Sequence, residues 1–149
     1  MTRVDFYLLD HATEGGKDAA VCKLAHKAFR LGHRIYILTH DHESAQRFDR
    51  LLWTFSQGSF IPHGLGARPS DIDMPVLIGR EEPPTAHEDV LIQLTPQVPE
   101  FFSRFQRVAE VVNGSDGEKT LARERFRFYR DRGYALQMHK ISAGDFVEA

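Results

Sequence analysis

Four cations and an aromatic ring stand out within residues 116–134, DGEKTLARERFRFYRDRGY. Drawn as a helix at about 100° per residue, Lys119, Arg123, Arg127 and Arg130 fall within an arc of roughly 80°, with Phe126 at its border. Leu121, Ala122, Phe128 and Tyr129 gather elsewhere and form an apolar side. A row of cations beside a ring suits a peptide that is both acidic and aromatic. It would equally suit a phosphate backbone, and a solvated basic face is a third reading. The helix alone does not choose among them.

Other constellations are weaker. His40, Asp41 and His42 follow a strand directly, where sites of α/β sheets often sit. Adjacent residues rarely converge on one metal, however, and no fourth ligand is sensibly spaced. Asp41 also has a capping role. The first turn, LLDHATEGGK, contains neither G-x-G-x-x-G nor G-x-x-x-x-G-K-[ST], so the cradle of backbone N–H groups that holds phosphates is missing. No G-x-S-x-G or other nucleophile–base arrangement is present. We therefore expect no cofactor, no metal and no catalysis by the chain itself. Trp53 lies off the apolar face of its helix by about 80°. With Phe60, Ile61 and Pro62 soon after, it reads as part of a partner-facing patch, since tryptophan is enriched among binding hot spots; the alternative is an indole simply packed under a loop.

These residues need a scaffold. Residues 4–9 form an apolar run of strand type, and residues 17–31 repeat apolar positions at helical spacing before Gly32. RIYILT (34–39) is a second strand, and Asp41 caps a helix whose apolar face is Ala45, Phe48, Leu51, Leu52 and Phe55. Strand–helix–strand–helix at this spacing predicts a parallel sheet covered by helices. Residues 64–75, GLGARPSDIDMP, read as loop. Residues 76–79, 90–94 and 108–112 are strand candidates, and 99–105 a short helix with Pro99 at its start. Asp116 is expected to cap the basic helix, Gly133 to end it, and 134–141 to form the last strand. We expect one domain over residues 1–141, with 142–149 a flexible acidic tail.

Composition narrows the partners. At 149 residues the chain is the size of one domain, and 27% charged residues is ordinary for a soluble protein. A net charge of −2 supplies no protein-wide field for nucleic acid, so any basic site must be local. The single cysteine, Cys22, rules out an internal disulfide and a thiolate zinc cluster. The opening MTRVDFYLLD lacks the segments of a signal peptide, and no apolar run is long enough to span a membrane, so a soluble cytoplasmic protein is expected.

Five segments in order, VDFYLLD, RFDRLLWTF, SFIPHGLG, DVLIQL and LARERFRFYRDRGYAL, resemble the chi subunit of bacterial DNA polymerase III, from Val4 to His139. The resemblance implies an α/β domain of Rossmann-like topology, akin to a mononucleotide-binding domain but without a phosphate loop. It implies an accessory, non-catalytic clamp-loader subunit in DNA replication that joins two partners, DNA being met mainly indirectly. One partner is the psi subunit, at Trp53, Phe60, Pro62 and Val112. The other is the acidic C-terminal tail of single-stranded-DNA-binding protein, at Lys119, Arg123, Phe126 and Arg127, to which the helical stripe adds Arg130. The family commonly has tyrosine where Phe126 stands, so the ring is kept and a hydroxyl is lost. A monomer or a heterodimer with psi follows. The alternatives are a direct single-stranded nucleic-acid binder using the same helix and a small α/β nucleotide-binding enzyme around His40.

Overall fold

The computed structural model of the chain describes residues 1–9, 15–54, 61–66, 73–84 and 86–141. Phe55, Phe60 and the expected acidic tail lie outside the described residues. In chain order the elements are β1 (Arg3–Leu9), α1 (Gly16–Arg30), β2 (Ile35–Leu38), α2 (His42–Thr54), β3 (His63–Leu65), β4 (Val76–Gly79) and β5 (Val90–Gln93). A 3-10 helix (Glu100–Arg104), β6 (Arg107–Val112), α3 (Asp116–Asp131) and β7 (Ala135–Ile141) complete them. Among the described residues the strands form one sheet in the order β3-β4-β2-β5-β6-β1-β7. Every pairing in it is parallel.

A parallel sheet is covered on both faces, so its central strands are apolar at every position rather than at alternate ones. Val76, Leu77 and Ile78 are all fully buried, as are Ile35, Ile37, Leu91 and Ile92. Side-chain alternation then divides the core in two. Ile35 and Ile37 face α1 and α2, together with Val21, Ala25, Phe48 and Leu52. Tyr36 and Leu38 face the other side, where Val4, Phe6, Phe102, Phe105, Ala122 and Tyr129 pack beneath α3 and the 3-10 helix.

The expected α/β architecture is the observed one, with local differences. Residues 63–65 form a strand where a loop was expected. His-Gly-Leu has no strand pattern of its own; it is held by pairing with β4 and by the buried His63 ring, placed between the carbonyls of Ile61 at 2.7 Å and Asp49 at 3.1 Å. Asp41 does cap α2, its carboxylate accepting from Ser44 N at 2.7 Å. That backbone bond is the main reason its carboxyl lies below the ordinary range. Asp116, by contrast, is the first residue of α3 and not its cap. Ser115 has the extended cap conformation, and its hydroxyl accepts from Glu118 N at 3.4 Å. Gly133, at φ +80°, follows the end of α3 in the left-handed conformation that glycine adopts without a Cβ clash.

Candidate docking site along the basic helix

Three structural choices set the geometry of α3. Ser115 starts it, Gly133 ends it, and a buried polar cluster sets its rotation. Glu110, fully buried in β6, accepts from Arg125 Nε at 2.9 Å and from the Tyr129 hydroxyl at 2.8 Å. Gln93 donates to the same carboxylate at 3.3 Å, and Arg125 also donates to the Pro96 carbonyl at 3.1 Å. Burial pushes the Glu110 carboxyl above its usual range, while Arg125, Tyr129 and Gln93 pull it back. Residues 125 and 129 lie one turn apart, so one carboxylate grips two successive turns of α3.

That grip decides which residues face inward. The buried positions of α3 are Ala122, Arg125 and Tyr129, and Leu121 is 42% exposed. Leu121 was expected on the apolar side, but Ala122, Arg125 and Tyr129 centre the buried face about 70° away from it, so Leu121 lies at the edge of that face. Phe128 is half-buried instead, its ring under the Arg132 guanidinium at 3.5 Å. The inward arginine escaped the sequence reading. Its signal was Glu110, a lone carboxylate in the apolar run VAEVV, which requires a buried donor.

On the opposite flank α3 overhangs a cleft of about 450 Å³. Its floor is Phe6 and Leu8 of β1 and Val112 of β6, with Ala122 above; Met138 of β7 forms a wall. Phe126 is half-buried at the rim, its ring edge-on to Phe6 at 5.5 Å between centroids. Lys119, Arg123 and Arg127 also line the cleft. The ion pairs of α3 are made by other residues. Lys17 bonds Glu118 at 2.7 Å, Arg125 bonds Glu110, and Arg130 meets Asp131 at 3.1 Å. Among the described residues Lys119, Arg123 and Arg127 pair with no carboxylate. Glu118, next to Lys119 in the chain, is paired with Lys17 and also accepts from Asn113 N at 3.1 Å; Glu124, next to Arg123, is exposed and makes no ion pair among the described residues.

The structure therefore brings Lys119, Arg123, Phe126 and Arg127 together around one cleft and leaves Arg130 outside it. Val112 belongs with this group too. It is 1% exposed and lies beneath α3, on the opposite side of the sheet from α2. Trp53 is 57% exposed on α2, its ring edge-on to the His63 ring at 5.0 Å. Pro62 is next to His63 in the chain, so these two remain neighbours, apart from Val112. His40 and His42 flank the capping Asp41 at the start of α2. Among the described residues no three His, Cys, Asp or Glu groups converge as metal ligands. Lys17, at the start of α1, spends its amine on Glu118. Among the described residues, no helix is long and apolar enough to cross a membrane.

Residues 1–137 match the family model described as DNA polymerase III chi subunit, HolC. The chain belongs to the DNA polymerase III chi subunit family. The chi subunit of Pseudomonas aeruginosa is 42% identical over 141 residues, covering 95% of this chain and 98% of that protein. The chi subunit of Escherichia coli K12 is 33% identical over 146 residues, with 91% and 96% covered. That of Haemophilus influenzae is 27% identical over 139 residues, with 91% and 95% covered. Chi-family membership places the chain among the subunits of DNA polymerase III, in DNA replication. The crystal structure of T4 UvsW superposes with a TM-score of 0.65 at 7% identity, covering 95% of this chain and 42% of that one. At that identity the likeness concerns the α/β fold alone, and the chain spans under half of UvsW.

Proposed function

We propose that this chi-family chain is a non-catalytic adaptor that joins the clamp-loader assembly to coated single-stranded DNA. The α3 cleft takes the acidic C-terminal tail of single-stranded-DNA-binding protein, and the Trp53 side of α2, with Phe60 and Pro62, takes the psi subunit. One observation carries the reading. Among the described residues Lys119, Arg123 and Arg127 stand without carboxylate partners beside an apolar cleft, and the acid next to Lys119, Glu118, is paired with Lys17. An acidic peptide with an apolar end matches both halves of such a site.

Arginine can meet carboxylates with two parallel bonds. Exposed ion pairs contribute only about 0–1 kcal/mol each, so the apolar side chain entering beside Phe126 supplies much of the affinity. Binding near micromolar, about −8 kcal/mol, is expected, and salt weakens it by screening the pairs. Many copies of the coating protein on one strand convert this modest affinity into stable retention. A tail peptide carrying a fluorophore, titrated at two salt concentrations, tests the assignment. Arg123→Ala and Phe126→Ala should each cost about 1–3 kcal/mol; undiminished binding by both would reject the site. Loss of psi binding on Trp53→Ala tests the second surface.

A further inference from the structure

β7 is the outermost strand, beyond β1, and among the described residues no strand lies on its far side. All seven of its residues pair in register with β1. In a parallel strand alternate residues direct their N–H and C=O groups away from the neighbour, so the outer side of β7 is a template for another strand. Proteins commonly blunt such an edge with a proline, a bulge or a lysine; β7 has no proline, its register is unbroken, and its one lysine, Lys140, stands near its C-terminal end.

The edge also borders the cleft. Register with Val4, Phe6 and Leu8 places Leu136, Met138 and Lys140 on the α3 side of the sheet. Met138 lines the cleft and is 53% exposed, a large apolar side chain left open on an edge strand. Lys140, two residues on, is exposed and pairs with no carboxylate among the described residues.

Building on the reading that this site takes an acidic peptide, we infer that the peptide binds by adding to β7 as an eighth strand. An added strand runs about 4.8 Å from β7. Its side chain opposite Met138 then stands about 5 Å away, against the thioether and over the cleft. The next side chain on that face lies beside Lys140, because alternate residues of a strand share a face. Main-chain bonds to β7 hold the peptide's backbone whatever its sequence, and the cations of α3 and Lys140 select the acidic one. The charge of that row disfavours a second copy of this chain's own β7, which would bring Lys140 and the arginines against their like.

The test uses the full chain and a short acidic peptide ending in phenylalanine, with two single N-methylated versions at neighbouring residues. One methyl removes the amide that faces β7; the other falls on an amide directed to solvent. The first is expected to weaken binding about tenfold, the loss of one well-formed bond with its acceptor stranded; the second should bind as the parent does. Peptide binding should also slow hydrogen exchange at alternate amides of residues 135–141, and Lys140→Glu should weaken binding without changing the unfolding midpoint. If both methylated peptides bind like the parent and β7 exchange is unaltered, while Arg123→Ala still weakens binding, the strand addition is wrong and the site assignment stands. If the parent peptide does not bind at all, both fall. Protection of β7 that grows with protein concentration before peptide is added would mean self-pairing and would overturn the inference.

Discussion

Arg123, Arg125 and Arg127 stand at alternate positions of one helix and end in opposite environments. Arg125 is 7% exposed and bonded to Glu110 and to the Pro96 carbonyl. Arg123 and Arg127 are exposed above the cleft with no carboxylate partner among the described residues. A step of two residues rotates a side chain by about 200°, so the same residue type meets interior and solvent in turn. Removing a charge from water costs several kcal/mol unless it is paired. The buried arginine accordingly has a built carboxylate and positions the helix. Its neighbours keep their hydration and remain available to a partner. A third case lies between them. Asp5 is buried, but the groups around it, Arg107 at 2.8 Å, His139 at 3.0 Å and Arg3 at 3.3 Å, are partly exposed.

The contrast is most severely tested by removing one half of the buried pair. Glu110→Ala strands Arg125 in the core and should destabilise the fold by about 3–5 kcal/mol. Glu110→Leu combined with Arg125→Met should recover most of that loss. Denaturant unfolding measures both, and a small effect of the single change would show that the pair does not position α3.

Asp5 sharpens the intermediate case. Burial raises its pKa, but His139, Arg107 and Arg3 outweigh that and hold it below the ordinary value. A carboxyl depressed on folding contributes stability above its unfolded pKa of about 3.9 and loses it as pH falls through the folded value. Acid unfolding below about pH 4 should therefore be less steep in Asp5→Asn than in the parent, by circular dichroism. An unchanged acid limb would mean that the cluster stores no pH-dependent stability.

Ser115→Ala removes the cap of α3 and should cost about 1 kcal/mol, read as a lower unfolding midpoint. Asp116→Ala should cost less, since Asp116 is not the cap; the reverse order would contradict the observed start of the helix. The smallest stability effect is expected on the exposed flank. Arg123→Gln and Arg127→Gln should each lie within about 0.5 kcal/mol of the parent while weakening the acidic peptide. A large stability loss there would erase the distinction between positioning and available arginines.

Much of the scaffold was legible in the residues. Unbroken runs such as Val76–Gly79 and the helical spacing of Ala45, Phe48 and Leu52 carry their structure locally, because burial on two faces or on one stripe leaves a periodic trace. β3 was not legible, since His63–Leu65 becomes a strand only through its partner β4 and the carbonyls that hold the His63 ring. The basic stripe could be read as a stripe, but its cleft could not. Phe6, Leu8, Val112 and Met138 come from three strands far apart in the chain, and nothing in their spacing announces that they meet. Val112 shows the same limit: the family resemblance grouped it with Trp53, whereas strand alternation places it under α3.

By itself the order of residues determined the α/β class, most element positions and the angular separation of cations on the last helix, all of which follow from periodicity within short windows. Only the tertiary structure decided which arginine turned inward, which strand was left at the edge and which cations went unpaired. Those outcomes depend on desolvation and on partners distant in the chain, and a local pattern does not encode them.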